Sequence, residues 1–294
     1  MCRLLCYKGK PIALEVLISR PENSLVYQSR DAGLHPGCEN KRNIRVNGDG
    51  FGIAWYDRPA RDFPCIVKFA TPAWSSTNLL ELSRFIDAGL LFAHVRAASD
   101  GNELTGRVSY ENSHPFKVGR YAFMHNGAVA TFKDIKRSLL ATLQDETYAT
   151  IEGTTDSELC FAVFLDELGR KAGACPLQRG ASAAEMAAAL EQTVRRIIAA
   201  VATHDERTAR ASGRAAGRAA GAAGCGSAAT AAAAPSAAAP STSAGTTTPA
   251  SSLNLCVTDG RSIVATRYRN HPTQQPPSMY YITGESFVCD GEGC

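Results

Sequence analysis

The chain has 294 residues, a hydrophobic content of 45% and a formal net charge of +3. These values are ordinary for a globular protein, and no basic run interleaved with aromatic residues calls for nucleic acid. The first residues do not resemble an export signal because Lys8, Lys10 and Pro11 interrupt the apolar stretch, and no run of about 18 apolar residues occurs. We therefore expect a cytoplasmic protein that contacts neither nucleic acid nor a membrane.

Ten cysteines are scattered along a chain that is too long to need disulfides for its stability. Without an export signal, we interpret them as thiols. No Cys-x-x-Cys pair occurs, and the six histidines do not follow a zinc-ligand spacing. We expect neither a metal nor a cofactor.

Short apolar runs alternate with helical patterns over the first two thirds of the chain. The predicted strands are "LLCY" (4–7), "GFGIAWY" (50–56), "CIVKFA" (65–70), "LLFAHVR" (90–96) and "YAFMH" (121–125). Four helices are predicted from apolar residues on one face, and they begin at Asn78, Thr131, Thr155 and Ser182. Thr155 and Ser182 each precede a glutamate by three residues, which is the spacing of a capping box.

The segment between Val201 and Leu253 contains no Leu, Ile, Val, Met, Phe, Tyr or Trp. Such a sequence cannot bury enough apolar surface to offset the entropy of ordering it. We predict that residues 205–252 form a disordered insertion within one domain, which consists of residues 2–204 and 253–294. The predicted strands after it are "LNLCVTDG" (253–260), "SIVATRY" (262–268) and "SMYYIT" (278–283). Strands and helices on separate faces indicate an α+β fold with a mostly antiparallel sheet.

Four polar segments lie where the predicted strands begin or end: "NGDGFG" (47–52), "HVRAAS" (94–99), "HNG" (125–127) and "GTTDSE" (153–158). Loops held by a rigid scaffold often present ligand-binding groups. Each segment also has a purely structural interpretation. The first is then a glycine turn, the third a hairpin turn and the fourth a helix cap, while Arg96 is a salt-bridge partner.

Cys2 follows the initiator methionine directly. Removal of Met1 would leave this residue with a thiol and a free α-amine, which together form a possible catalyst. An ordinary buried cysteine near the terminus is the alternative interpretation of this stretch taken alone.

These segments, in this order and behind an N-terminal cysteine, resemble the class II glutamine amidotransferases, a family of Ntn hydrolases. The similarity rests on Cys2 and Arg96, and on "NSHPF" (112–116), "FMHNG" (123–127) and "TTDSE" (154–158). It covers most of residues 2–204 and resumes at 253. "MCRLL", "NGDGFGIAWY" and "HVRAAS" are most similar to the stand-alone YafJ-like branch, which includes the amidotransferase subunit of a glutathione-degrading complex. The resemblance implies a four-layer αββα sandwich.

The resemblance also implies a role for each matching residue. Cys2 would be the nucleophile, and its own α-amine, with an unperturbed pKa of about 7.7 to 8.0, would accept the thiol proton. The Asn126 side chain and the Gly127 backbone N–H would stabilise the oxyanion. Arg96 would bind the substrate α-carboxylate and Asp156 its α-ammonium.

Residues near these positions have less specific expected roles. Asp49 and Gly50 would line the pocket, whereas His94, His114 and His125 would support the site without direct catalysis. The implied activity is hydrolysis of a γ-glutamyl amide, either glutamine or a γ-glutamyl peptide such as glutathione. By the same resemblance, a metallopeptidase-like subunit is a possible partner.

Two other functions remain open at this point. One is an Ntn acylase acting on N-acyl amides, although such an enzyme does not need the pairing of Arg96 with Asp156. The other is a non-catalytic scaffold subunit that binds a partner through the insertion.

Overall fold

The computed structural model describes residues 2–32, 46–57, 61–97, 107–172, 180–222 and 250–286. Its first sheet has the strand order β1-β4-β2-β3, and all neighbouring strands are antiparallel. These strands are β1 (Arg3–Ala13), β2 (Phe51–Trp55), β3 (Cys65–Phe69) and β4 (Asp87–Val95). All four coincide with predicted strands.

The second sheet is also antiparallel, with the order β5-β6-β7-β8. Its strands are β5 (Phe116–Val118), β6 (Tyr121–Ala128), β7 (Ser252–Thr258) and β8 (Ile263–Thr266). The short strand β5 was missed in the sequence. The predicted strand at 278–283 is wrong, because this segment is not a strand and, apart from the partly buried Met279, its residues are exposed.

Helices cover the outer faces of both sheets. They are α1 (Glu15–Ile18), α2 (Leu25–Arg30), α3 (Thr77–Phe85), α4 (Phe132–Leu140), α5 (Asp145–Tyr148), α6 (Asp156–Ala172) and α7 (Ala183–Ala222), with a 3₁₀ turn at Ala73–Ser75. The short helices α1, α2 and α5 were not predicted. None of the helices in the described part of the chain is long and apolar enough to cross a membrane.

Three apolar clusters show the order of the layers. One lies between α1–α3 and the first sheet and includes Leu17, Leu79 and Leu91. A second fills the space between the two sheets, and a third joins the second sheet to α4, α6 and α7. The strand period of two explains this arrangement in β6, where Tyr121 and Phe123 face the helices while Ala122 and Met124 face the other sheet. The fold is the predicted αββα sandwich.

The helix starts agree with the sequence only in part. Ser182 and Glu185 form the predicted capping box, since the Glu185 amide donates to Ser182 Oγ (3.2 Å) and the Ser182 amide donates to Glu185 Oε2 (2.8 Å). Helix α3 begins earlier than predicted, because Ser76 caps it instead of Asn78. Thr131 precedes α4 in a left-handed conformation, and its side chain forms no capping hydrogen bond.

The predicted start of the disordered insertion at residue 205 is wrong, because α7 continues to Ala222. Among the described side chains of this helix, Val201 is the last that belongs to an apolar cluster, and most of residues 202–212 are exposed. Alanine has the highest helix propensity, so an alanine-rich sequence can extend a helix without an apolar face. Residues 223–249 of the predicted insertion and residues 287–294 lie outside the described residues.

Candidate active site

Cys2 directly precedes β1 and lies opposite the end of β4. Its sulfur accepts a hydrogen bond from the Ala97 N–H (3.4 Å), and its thiol is 3.7 Å from the Ala97 carbonyl oxygen. Leu4 and Cys6, on the same alternation of β1, pack into the apolar cluster between the sheets. Cys2 therefore belongs to the inner face of the first sheet, and Cys6 is a core residue, as predicted.

Burial raises the pKa of the Cys2 thiol. The Ala97 amide and the positive charge of Arg96 oppose this shift, whereas the negative charge of Asp156 adds to it. The two residues that are predicted to bind the substrate, Arg96 and Asp156, therefore both influence the Cys2 thiol. A desolvated thiol needs a nearby proton acceptor to become a nucleophile.

Arg96 follows β4 and is joined to the loop before β2. Its N–H donates to the Gly50 carbonyl oxygen (2.8 Å), and its own carbonyl oxygen accepts from the Asp49 N–H (3.1 Å). The guanidinium Nη1 donates to the Arg107 carbonyl oxygen (3.2 Å). Burial lowers the pKa of Arg96, and the negative charges of Cys2, Asp49 and Asp156 oppose that shift. Arg96, Cys2, Asp49 and Asp156 are thus close enough for their charges to interact.

Gly50 allows the close contact between this loop and β3. Its φ is 112°, a conformation that favours glycine, and a Cβ at this position would lie 2.7 Å from the Phe69 carbonyl oxygen. The glycine segment is therefore a turn that enters β2. Ser99, at the end of the predicted segment 94–99, lies outside the described residues.

Asn126 and Gly127 lie within β6, and the interpretation of "HNG" as a hairpin turn is wrong. Asn126 continues the alternation of Ala122 and Met124 and so belongs to the inner face of the second sheet, opposite the sheet that carries Cys2. Its Oδ1 atom is buried and has no hydrogen-bond partner among the described residues. The predicted oxyanion role requires the other end of the carboxamide, the Nδ2 donor.

Gly127 lies against the neighbouring strand β7. A side chain at this position would collide with the Ser252 carbonyl group. Glycine is therefore required by the close approach of two strands at the end of β6.

Asp156 is the first residue of α6 and is buried. Its Oδ2 accepts a hydrogen bond from the Val129 N–H (2.9 Å), directly after β6. Thr155 Oγ1 accepts from the Glu158 N–H (3.1 Å), but the Glu158 carboxylate accepts from the N–H groups of Glu152 and Gly153, so only half of the predicted capping box forms. The start of α6 is thereby fixed to the strand that carries Asn126 and Gly127.

Asn112 joins three of the loops around the site. Its Nδ2 donates to the Arg107 carbonyl oxygen (3.0 Å), and its Oδ1 accepts from the Thr154 N–H (2.9 Å). The same carbonyl oxygen of Arg107 accepts from Arg96. This residue lies in the "NSHPF" segment, but no role was assigned to it because its partners are distant in sequence.

His94 and His114 form a buried pair between the sheets. Their ring centroids are 4.1 Å apart, and none of the four ring nitrogens has a hydrogen-bond partner among the described residues. Burial lowers the pKa of His94 to about 3 and holds the pKa of His114 well below its usual value. Both rings are therefore neutral at physiological pH and are poor candidates for proton transfer.

His125 is buried on the outer face of β6, the face that packs against the helices. Its Nδ1 is 2.9 Å from Ser157 Oγ, and its Nε2 is 3.0 Å from the Ser252 carbonyl oxygen. It thus connects β6 to β7 and α6. The serine was not singled out in the sequence.

One cavity lies apart from Cys2. A cavity of about 230 Å³ opens between the edge strands β3 and β5, and its lining includes Lys68, Tyr110 and Glu158. No group of three or more potential metal ligands occurs in the described ranges.

The sequence matches one family of known proteins. Residues 35–203 match the family described as glutamine amidotransferases class-II. The chain is 35% identical over 292 residues to the probable glutamine amidotransferase DUG3 of Saccharomyces cerevisiae. The aligned region covers 98% of this chain and 69% of DUG3. The chain is also 25% identical over 171 residues to the gamma-glutamyl-hercynylcysteine sulfoxide hydrolase of Mycolicibacterium smegmatis. The aligned region covers 58% of this chain and 66% of that hydrolase.

A solved structure has the same fold. The glutamine aminotransferase class-II domain protein from Silicibacter pomeroyi aligns with this chain with a TM-score of 0.50 and 22% sequence identity. The alignment covers 92% of this chain and 78% of the Silicibacter pomeroyi chain. The family match covers more than half of the chain, and the similarity to DUG3 extends over nearly all of it. The chain therefore belongs to the class II glutamine amidotransferase family.

Proposed function

We propose that this protein hydrolyses a γ-glutamyl amide, with Cys2 as the nucleophile. The observation that supports the proposal is that the charges of both Arg96 and Asp156 influence the pKa of the Cys2 thiol. An amino acid head group carries one carboxylate and one ammonium, which these two charged side chains match. The names of both sequence relatives support the same class of reaction.

The reaction begins when the thiolate of Cys2 attacks the γ-carbonyl carbon. The α-amine of Cys2, freed by removal of Met1, accepts the thiol proton and later gives it to the leaving amine. Asn126 Nδ2 and the Gly127 N–H donate hydrogen bonds to the oxyanion of the tetrahedral intermediate. Collapse of this intermediate leaves a glutamyl thioester, which water then hydrolyses to free glutamate and the thiol.

Arg96 and Asp156 bind the other end of the substrate. The planar guanidinium suits a carboxylate, which it binds through two parallel hydrogen bonds. Oδ2 of Asp156 accepts a hydrogen bond from the Val129 N–H, and Oδ1 can accept one from the α-ammonium. Asp49 and Gly50 line the same end through their contacts with the Arg96 backbone.

The leaving group decides between glutamine and a γ-glutamyl peptide such as glutathione. Both have the same glutamyl head group, so the residues above accept either one. We propose that the protein acts in the cytosol as one domain made of residues 2–204 and 253–294. A metallopeptidase-like subunit that processes the released dipeptide is the partner suggested by the resemblance to the glutathione-degrading complex.

The proposal is tested by glutamate release from the purified full-length chain. L-glutamine, glutathione and an N-acyl amide are compared, with the N-terminal mass measured in parallel. We expect a mass without Met1, release of glutamate from at least one γ-glutamyl substrate, and loss of that activity in Cys2→Ala. Cleavage of the N-acyl amide alone would identify an Ntn acylase, and retained Met1 with no cleavage would favour a scaffold.

The variant Cys65→Ala is the matched control, because Cys65 is an exposed thiol at the start of β3. Its activity should equal that of the wild type. Equal activity in Cys2→Ala would contradict the proposal.

A further inference from the structure

Arg269 lies beside the strand that pairs with the predicted oxyanion donors. It follows β8 and forms an isolated β-bridge with Ser252, the first residue of β7. Ser252 pairs on its other side with Ala128, the last residue of β6. Arg269 is therefore level with the end of β6, two residues beyond Asn126 along the sheet.

The side chain of Arg269 belongs to the inner face of the second sheet. In this part of the chain, Ile263 packs into the cluster between the sheets, whereas Val264 and Tyr268 pack against the cluster beneath the helices. Successive residues of an extended strand alternate between its two faces. Arg269, which follows Tyr268, is thus on the same face as Asn126 and turned toward the sheet that carries the nucleophile.

The guanidinium of Arg269 has no partner in the described part of the chain. Its Nε atom is buried without a hydrogen bond, and no carboxylate of the described residues pairs with it. Arg267, the neighbour on the same face, differs because it donates to the carbonyl oxygens of Pro277 (3.1 Å) and Pro276 (2.9 Å). A guanidinium is always charged and matches a carboxylate through two parallel hydrogen bonds. Arg269 is therefore suited to bind an anionic group.

The strand order places Arg269 on the leaving-group side of Cys2. In the first sheet, β1 is the edge strand, and Arg96 follows its neighbour β4. In the second sheet, β7 and β8 lie beyond β6. The thiol of Cys6 in β1 is next to the thiol of Cys256, so β1 faces β7. A glutamyl group that is held from the β4 side and presents its γ-carbonyl to Cys2 directs its leaving group toward β7 and Arg269.

The separation between the two positions suits a peptide as the leaving group. Arg269 is two strand positions from β6 and two residues beyond Asn126, so the Cα atoms of these two residues are about 12 Å apart for ordinary sheet spacings. A dipeptide spans at most about 7 Å, and the long arginine side chain covers much of the remainder. Ammonia, the leaving group of glutamine, has no carboxylate for Arg269 to bind.

We propose that Arg269 binds the C-terminal carboxylate of a γ-glutamyl peptide and so determines the substrate class. The guanidinium holds the dipeptide that leaves, while the residues described above hold the glutamyl head group. Peptides of the glutathione type are then better substrates than glutamine. This inference rests on the proposed function, since it concerns the leaving group of the same reaction.

The test compares glutathione with its C-terminal carboxamide, the same tripeptide without the terminal charge. The measured quantity is the ratio of kcat/KM for glutathione to kcat/KM for the carboxamide, from glutamate release by the full-length chain. The wild type should prefer glutathione, and Arg269→Gln should lower the ratio by about tenfold, the effect of losing one charge-assisted hydrogen bond. Arg269→Lys retains the charge and should give an intermediate ratio. A general effect on folding would lower both rates and leave their ratio unchanged.

The matched control is Arg261→Gln. Arg261 is an exposed arginine in the turn between β7 and β8, at the opposite end of the same sheet. This variant should keep the wild-type ratio. A wild-type ratio in Arg269→Gln, or an equal reduction in both variants, would overturn the inference.

The behaviour of the wild type separates this inference from the proposed function. If the wild type hydrolyses glutamine but not glutathione, or cleaves glutathione and its carboxamide equally well, this inference alone is wrong. If none of the three compounds releases glutamate, the proposed function fails as well.

Discussion

Asn126 shows how the position of a single side chain determines what it can do. It is the last polar residue on the inner alternation of β6, and its Oδ1 is buried without a partner in the described structure. Asn126 pairs in register with Asn254 of β7, so the backbone that carries the carboxamide has a fixed position before a substrate arrives. Fixed donors stabilise a developing negative charge without reorganisation.

Replacement of Asn126 by alanine should therefore reduce kcat for the γ-glutamyl substrate by about 10²- to 10³-fold, the usual effect of losing one oxyanion donor. Steady-state glutamate release measures this change. Asn78→Ala is the control, because Asn78 is an exposed asparagine in α3. A kcat in Asn126→Ala equal to that of the control would contradict the proposed role.

His94 and His114 should make the stability of the fold sensitive to acid. Both have a lowered pKa in the folded protein because burial disfavours the charged ring. Above the unfolded pKa of about 6.5, the rings are neutral in both states and have no effect. Below it, the unfolded chain binds protons that the folded chain excludes, so the free energy of unfolding falls by about 1.4 kcal/mol per pH unit for each ring.

This pH dependence is measured by urea unfolding at several pH values between neutral and about pH 5. The double variant His94→Gln with His114→Gln should have a weaker pH dependence than the wild type, whatever its absolute stability. His204→Gln, at a partly exposed position of α7, is the control and should retain the wild-type slope. A wild-type slope in the double variant would show that other groups cause the acid sensitivity.

The candidate site residues differ in how visible they are in the sequence. Cys2, Arg96, Asn126, Gly127 and Asp156 stand in contiguous motifs, so the sequence alone identifies them as candidates. Their catalytic roles stay predictions until activity is measured. The residues that were missed, Ala97, Asn112 and Ser157, act through partners elsewhere in the chain, and only the fold brings these partners together.

At the scale of the elements, α6 and α7 are joined by one buried carboxylate. Asp166 accepts hydrogen bonds from Arg196 (2.6 Å), Arg170 (2.9 Å) and the Gln144 N–H (2.8 Å), and its side chain has no exposed surface. Arg196 also donates to the carbonyl oxygen of Thr142 (2.8 Å). This group of contacts orients the two long helices over the second sheet.

Asp166→Ala should lower the free energy of unfolding by about 2 to 4 kcal/mol, because it leaves a mostly buried arginine and a backbone N–H without their shared acceptor. Denaturant unfolding measures the change. Glu191→Ala breaks the exposed pair of Glu191 with Arg195 (2.6 Å) and should cost less than about 1 kcal/mol. Similar losses in the two variants would contradict the importance of burial.

The end of α7 shows what apolar patterning does not predict. The absence of large apolar residues after Val201 correctly indicates the end of the buried face, but it does not mark the end of the helix. Local propensity and tertiary burial are separate contributions, and the alanine-rich sequence satisfies the first alone. The opposite error occurred at 278–283, where three large apolar residues suggested a strand although Tyr280, Tyr281 and Ile282 are exposed.

At the scale of the whole molecule, the low-complexity segment interrupts one sheet. Strand β7 follows this segment and pairs with β6 from Ala122 to Ala128, and Leu253, Leu255 and Val257 fill the cluster beneath α6 and α7. The two parts of the sequence therefore share one core. The four-layer fold was predictable from the family motifs, since periodicity alone indicates only an α+β class.

A protease site placed within residues 223–249 tests this arrangement. We expect the two fragments of the cleaved protein to remain associated, to unfold in one cooperative transition and to retain glutamate release. Gel filtration, thermal unfolding and the activity assay measure these properties. The uncleaved protein with the same site is the control, and separation of the fragments under native conditions would contradict a single domain.

The link between His125 and Ser252 spans 127 positions of the sequence. During translation, Cys2 is synthesised long before β7, the strand that pairs with Asn126 and Gly127. A ribosome that stalls before residue 252 consequently releases a polypeptide without β7, in which the second sheet is incomplete. Residues 122–128 of β6 then have no β7 to pair with, so the surroundings of Asn126 and Gly127 form only after residues 252–258 have been synthesised.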